Sequence, residues 1–264
     1  MSARSAAADR VAIVTGSASG IGRAAVELLI ADGTSVVAVD LDPTALEWAR
    51  GDDRVAVVVG DVTSAELNAA AVQTALQRFG RLDVTVLNAG VPSGGDLLDM
   101  PIERFDRSID VNLRAVLLGI RAAVPAMRAT GGGRIVVTAS TSGLAGDPYM
   151  WAYNAAKGGV INLVRAAAID LAADDITVNA VCPGPTETGM TAAIMAAPER
   201  YEQLRLAIPA QRWGRPQEVA AVIAFLASPA ASFVTGTAIP VDGGITASTG
   251  QFRPRPRSDE GATP

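Results

Sequence analysis

The sequence predicts a single α/β domain built on a doubly wound, mainly parallel sheet with helices on both faces. Three observations predict it. Short runs rich in Val, Ile and Ala alternate with longer helical stretches along most of the 264 residues, the pattern of strands buried on both faces and joined by crossover helices. The first such run is followed at once by glycines at positions 16, 20 and 22. Residues that bear chemistry recur where successive strands end, and ligands of doubly wound sheets bind at those carboxyl ends.

Val11–Thr15 is the first apolar strand, and after the glycine turn Arg23–Ala31 reads as a helix. Val36–Val39 is a second strand closing on Asp40. Strand, glycine turn, helix, strand and acid form the layout of a dinucleotide site: glycines let backbone approach a pyrophosphate, and a helix N-terminus attracts its charge. Asp40 stands eighteen residues after Gly22, where a carboxylate would bond ribose hydroxyls and repel a 2′-phosphate, favouring NAD over NADP. The alternation continues with strands at Val55–Val59, Asp83–Leu87, Ile135–Ala139, Ile176–Val181 and Thr237–Val241. Helices are expected at Ala65–Phe79, Ile102–Met127 (with Pro125 near its end), Ala152–Leu171 and Pro216–Leu226. Gly16, Asp40, Asp61, Asn88, Ser140 and Pro183 all fall at strand ends. The stretch 186–215 is looser, with helices at Met190–Met195 and Glu199–Ala207, and reads as a substrate lid on a catalytic domain spanning about 10–247. Residues 1–9 and 248–264, the latter with an Arg/Pro-rich run at 252–257, are expected to be flexible.

Composition narrows the chemistry. With 22 basic and 27 acidic residues and no long run of one sign, a nucleic-acid-binding face is not expected. No stretch approaches the ~20 apolar residues of a membrane span, and neither a secretory signal nor a paired cysteine is visible, so a cytoplasmic protein is expected. The chain has no histidine, which rules out a Ser-His-Asp triad and histidine-ligated zinc; no metal site is expected. Acid–base work falls to carboxylates, tyrosine, lysine or the lone Cys182. Tyr153 and Lys157 are four residues apart on one expected helix, so they share a face one turn apart. An ammonium beside a phenol stabilises its anion and makes it a usable proton donor and acceptor. A tyrosine and a lysine at that spacing are more often a half-buried aromatic beside a solvated cation, so the pair gains meaning only from its surroundings.

Those surroundings resemble the short-chain dehydrogenase/reductase family, in its single-domain, Rossmann-like branch. The matching stretches are Thr15-Gly-Ser-Ala-Ser-Gly-Ile-Gly22, Asp61-Val62, Asn88-Ala-Gly90, Asn112, Ser140, Tyr153-x3-Lys157, Pro183-Gly184 and Val241-Asp-Gly-Gly244, covering roughly residues 10–244 in the family's order. The resemblance implies that Tyr153 is the general acid/base, that Ser140 holds the substrate oxygen, and that Lys157 binds the nicotinamide ribose and lowers the tyrosine pKa. Asn112 would hold a water in a proton relay. Cofactor contacts would come from Gly16, Ser19, Gly20, Ile21, Gly22, Asp40, Leu41, Asp61, Val62, Asn88, Ala89, Gly90, Tyr153, Lys157, Pro183, Gly184, Thr186 and Thr188. The residues themselves point to an apolar substrate pocket of Leu144, Trp151, Met190 and Met195 around Ser140 and Tyr153. The family often carries asparagine where Leu87 stands and a β-branched aliphatic where Thr186 stands, which touches only fine cofactor contacts.

The expectation is an NAD-dependent oxidoreductase interconverting a secondary alcohol and a ketone, with a small-molecule substrate and, by resemblance, a homotetramer. An NADP-dependent 3-ketoacyl reductase is opposed by Asp40 and by the lack of a basic residue at 17–19. A non-catalytic nucleotide-binding sensor is opposed by the joint presence of Ser140, Tyr153 and Lys157. A dehydratase or epimerase on the same fold usually comes with a larger substrate domain.

Overall fold

A computed structural model describes residues 10–49 and 51–249; the expected flexible segment 1–9 and the tail from 250 onward lie outside them. The described residues form a seven-stranded sheet in the order β3-β2-β1-β4-β5-β6-β7. The strands are β1 Val11–Thr15, β2 Ser35–Asp40, β3 Val55–Val59, β4 Val84–Leu87, β5 Gly133–Thr138, β6 Ile176–Pro183 and β7 Ala238–Val241. Every pairing is parallel.

Because side chains alternate across a strand, each strand feeds two cores. Val11, Ile13, Val37, Val39, Ile135 and Val137 point to one face, against α2 (Ala65–Phe79), α4 (Ala115–Ala129) and α5 (Trp151–Leu171). Ala12, Val14, Val36, Val84, Val86 and Val136 point to the other, against α1 (Gly20–Ala31) and α8 (Pro216–Ala227). This double burial is why the strands read as continuous apolar runs. The order reverses at β1, which lies between β2 and β4, so a crevice opens at the carboxyl ends of β1 and β4.

The long helix expected over 102–127 is not one regular helix. It divides into α3 (Ile102–Ile109), a π-helical turn at Asp110–Arg114 and α4. At the turn, Ala115 N–H bonds to Asp110 O, one residue farther back than in an α-helix. A π-bulge of this kind often marks a functional position, and this one carries Asn112. Pro198 opens α7 (Pro198–Ala207), one residue before the expected start at Glu199, as a proline suits a first turn. Short 3-10 turns at Thr44–Ala49 and Thr141–Gly143 were not expected from the sequence. The excursion after β6 contains α6 (Ala192–Met195) and α7, and its two stems are joined by a parallel bridge between Thr186 and Gly214.

Candidate active site at the carboxyl ends of the strands

The glycine turn after β1 is tight enough to exclude side chains. A Cβ at Gly22 would lie 2.0 Å from Gly16 O, and Gly16 itself has φ +66. The N-cap of α1, Ser19, makes no side-chain cap, and no acidic residue stands in the first turn. The leading N–H groups of a twelve-residue helix therefore face the crevice, a fitting cradle for a pyrophosphate. Gly20 lies against Thr188, whose Cγ2 would be 3.2 Å from an added Cβ. Asp40 ends β2, its Oδ2 accepting from Ala18 N at 2.9 Å and its Oδ1 from Leu41 N at 2.7 Å. That fixes a half-buried carboxylate beside the turn, as a ribose diol requires.

Asn88 secures this corner. Its Nδ2 donates to Thr15 O at 3.1 Å and Gly16 O at 3.2 Å, its backbone N–H donates to Thr15 Oγ1 at 3.0 Å, and its Oδ1 accepts from Thr138 Oγ1 at 3.0 Å. One amide thus joins the ends of β1, β4 and β5. Asp61 accepts from Thr63 N at 2.9 Å and pairs with Arg107 of α3 at 3.2 Å, and both interactions hold its pKa below the usual carboxylate range, the Thr63 bond most. Asp61 and the adjoining Val62 stand at the end of β3. Pro183 closes β6, with Gly184 packed on Asp242 so tightly that a Cβ would lie 2.8 Å from that residue's Cβ. Thr186 Oγ1 donates to Gly184 O at 2.9 Å.

Ser140, Tyr153 and Lys157 are brought together on the neighbouring side. Ser140 leaves β5 extended, at φ −171, and Tyr153 and Lys157 descend from the first turns of α5. Tyr153 is 8% exposed, Ser140 8% and Lys157 3%, so a lysine solvated at the surface is excluded. The Tyr153 hydroxyl bonds to Ser140, and Lys157 Nζ donates to Thr138 O at 2.8 Å and lies 5.6 Å from the Tyr153 ring centroid. The phenol differs from expectation. Its pKa is pushed up to about 12, chiefly by burial, with Asp147 adding to the rise and the Ser140 bond opposing it. Burial, not Lys157, sets it, and burial also drives the ammonium's own pKa down to about 8. Gly90 borders the trio: a Cβ there would lie 2.9 Å from Asn112 Oδ1, 3.8 Å from Lys157 Nζ and 3.9 Å from Met190 Cε.

Asn112, fully buried in the π turn, spends its amide on the chain. Its Oδ1 accepts from Val91 N at 3.1 Å, and its Nδ2 donates to Val91 O at 3.1 Å and Ser108 Oγ at 3.2 Å. The apolar candidates do not form one wall. Met190 borders Gly90, but Met195 lines a cleft of about 630 Å³ with Gly20, Arg23, Thr188 and Gln217. Trp151 stacks on Phe105 at 5.3 Å. Leu144 is 39% exposed on the loop leading to α5. Cys182, left open by the sequence as an acid–base group, is fully buried beside Ser140 and Lys157 with its thiol pushed up to about 11 by burial. Sequence reasoning passed over Arg107 and Asp147. Neither has a sequence signature, since only folding brings them to Asp61 and Ser142.

With this geometry in place, comparison with known proteins is decisive for the class. A family profile described as enoyl-(acyl carrier protein) reductase matches residues 16–246. The chain is 39% identical over 248 residues to 2-(R)-hydroxypropyl-CoM dehydrogenase of Xanthobacter autotrophicus, covering 90% of this chain and 99% of that one. It is 42% identical over 245 residues to cis-4-hydroxycyclohexanecarboxylate dehydrogenase of Sinomonas cyclohexanicum, covering 91% and 98%. A crystal structure of levodione reductase superposes with a TM-score of 0.86 at 35% identity, covering 91% and 98%. The chain belongs to the short-chain dehydrogenase/reductase family. It is an oxidoreductase of the kind that acts on alcohols and ketones with a nicotinamide cofactor. Among the described residues no helix is long and apolar enough to cross a membrane.

Proposed function

We propose that the protein is an NAD-dependent dehydrogenase interconverting a secondary alcohol and a ketone, with Tyr153 as the general acid/base. The observation that carries this reading is the convergence of Ser140, Tyr153 and Lys157 beside a glycine turn closed by Asp40. When bound, the nicotinamide supplies the hydride acceptor or donor. The chain's own residues do the rest. Ser140 holds the substrate oxygen by hydrogen bond, and Tyr153 gives or takes its proton, so that charge developing on the oxygen meets a fixed donor. Lys157, anchored on Thr138 O, presents its cation to the cofactor ribose and to the phenol. A phenol at about 12 is too weak an acid at neutral pH, and a second positive charge near the pair is what brings it into range.

Further cofactor contacts are assigned to Gly16, Ser19, Ile21, Gly22, Leu41, Asp61, Val62, Ala89, Gly90, Pro183, Gly184, Thr186 and Thr188. Asn112 is assigned the holding of a water in a proton relay from Lys157. Leu144 and Met190 form the apolar side of the substrate pocket, and residues 186–215 act as its lid. By resemblance the working state is a cytoplasmic homotetramer, checked by light scattering, where a monomer contradicts it.

The decisive experiment is a panel of secondary alcohols with purified protein, following NADH absorbance with NAD and then NADP. Turnover is expected with NAD in preference. In Tyr153→Phe, kcat should fall by about 10²–10⁴-fold while NAD affinity persists. A variant that keeps near-normal turnover removes Tyr153 from this role.

A further inference from the structure

The segment between Ser140 and Tyr153 holds a carboxylate at the rim of the site. Ser140 Oγ accepts from Ser142 N at 3.1 Å, and Ser142 Oγ in turn donates to Asp147 Oδ2 at 2.5 Å. Asn154, next to the catalytic tyrosine, donates from Nδ2 to Asp147 O at 2.9 Å. The loop is also tied across the crevice, where Gly95 N donates to Tyr149 O at 2.9 Å. Asp147 is therefore fixed at both its side chain and its backbone, two hydrogen bonds from Ser140. It stays exposed, and among the described residues no arginine or lysine pairs with it. Arg104 reaches this rim from α3, where its Nη1 donates to Gly94 O at 3.4 Å. The negative charge is felt inside the site, since it adds to the raised pKa of Tyr153.

We propose that Asp147 is a specificity-determining residue that selects uncharged or cationic alcohols and ketones, such as diols and amino alcohols, over hydroxy acids of the same skeleton. This rests on the alcohol–ketone reading above. A substrate whose oxygen reaches Ser140 and Tyr153 lies two hydrogen bonds from Asp147, so its neighbouring substituents feel the charge that already acts on Tyr153. A carboxylate there meets a fixed like charge, an ammonium meets an opposite one, and a hydroxyl meets a hydrogen-bond acceptor. At such range, in a partly solvated cleft, one unit of charge changes the outcome by about tenfold. Because Asp147 is exposed, the discrimination weakens as salt screens it.

The test compares 2,3-butanediol, 1-amino-2-propanol and 3-hydroxybutyrate with NAD, at low and at ~0.5 M salt. The expected order in kcat/KM is amino alcohol, then diol, then acid, with differences that shrink in salt. Asp147→Asn, which keeps an acceptor for Ser142, should raise the acid-to-diol ratio about tenfold. A wild-type enzyme that prefers the acid, or a ratio unmoved by the variant, overturns the inference. The salt dependence of the wild type decides the matter if the variant fails to fold. Should no alcohol turn over with either cofactor, the proposed function fails, and saturation-transfer NMR of the same three compounds with protein and NADH judges the inference separately. Tighter binding of the amino alcohol than of the acid supports it, and equal or reversed binding overturns it.

Discussion

Lys157 and Tyr153 titrate far from their ordinary values because both are buried. Burial of the Lys157 ammonium lowers its pKa from 10.5 to about 8, while burial raises that of Tyr153 from 10.0 to about 12. Between pH 8 and 10 an unfolded lysine still holds a proton that the folded one has released. The unfolded state then binds more protons, so stability rises with pH across that window. Between pH 10 and 12 the unfolded tyrosine has lost a proton that the folded one keeps, and stability falls. Urea titrations of the cofactor-free protein should therefore show a maximum near pH 10 from this pair, with the rise below it on the order of 3 kcal/mol. In Lys157→Met that rise should be absent; a slope equal to that of the wild type would assign it elsewhere. Asn88 is the structural counterpart. Replacing it with Ala leaves Gly16 O and Thr138 Oγ1 without their partner and should cost about 2–3 kcal/mol by chemical denaturation. A loss below about half a kcal/mol would show that water takes over.

At the level of elements, the site depends on how closely the turn after β5 meets α5. Gly143 sits so near that helix that a Cβ would lie 2.6 Å from both the carbonyl carbon and oxygen of Lys157. Backbone cannot yield as a flexible side chain does. Gly143→Ala should push the 141–143 turn, and Ser140 with it, away from Tyr153. The expected result is a drop in kcat of at least about tenfold with cofactor affinity retained, read by steady-state kinetics beside a cofactor titration. A loss of affinity with kcat unchanged would contradict this. The excursion between β6 and α8 is held unevenly. Trp213 and Ile208 are buried, and Trp213 stacks on Tyr201 at 5.0 Å, while α6 buries no residue. The excursion is anchored where Thr186, Ile208 and Trp213 are buried, whereas neither α6 nor α7 buries a residue.

For the molecule as a whole, the doubly wound sheet gathers the proposed cofactor cradle and proton-transfer group at the carboxyl ends of its strands, so a ligand that binds there stabilises the entire fold. At a concentration 100 times its Kd, NAD should add about 2.7 kcal/mol to unfolding stability. Thermal shifts should be larger with NAD than with equal NADP, and Asp40→Ala should narrow the difference. An unchanged ratio of the two shifts would take Asp40 out of cofactor selection.

Much of this was legible in the chain itself. The apolar runs from Val11 to Val241 located all seven described strands to within two residues, because strands buried on both faces are dominated by Val, Ile and Ala. The spacing of Tyr153 and Lys157 on one helix was legible for the same reason: it depends on local geometry alone. Tertiary structure decided the rest. Whether Lys157 is solvated or buried, and whether the amides of Asn88 and Asn112 meet a ligand or staple the chain, depend on partners far apart in sequence. Asn88 meets Thr138 fifty residues away, Arg107 meets Asp61 forty-six away, and Asn112 meets Val91 twenty-one away. The chain determined which residues form each strand and which share a helix face, and the packed sheet determined their charges, because burial and long-range hydrogen bonds exist only once those elements meet.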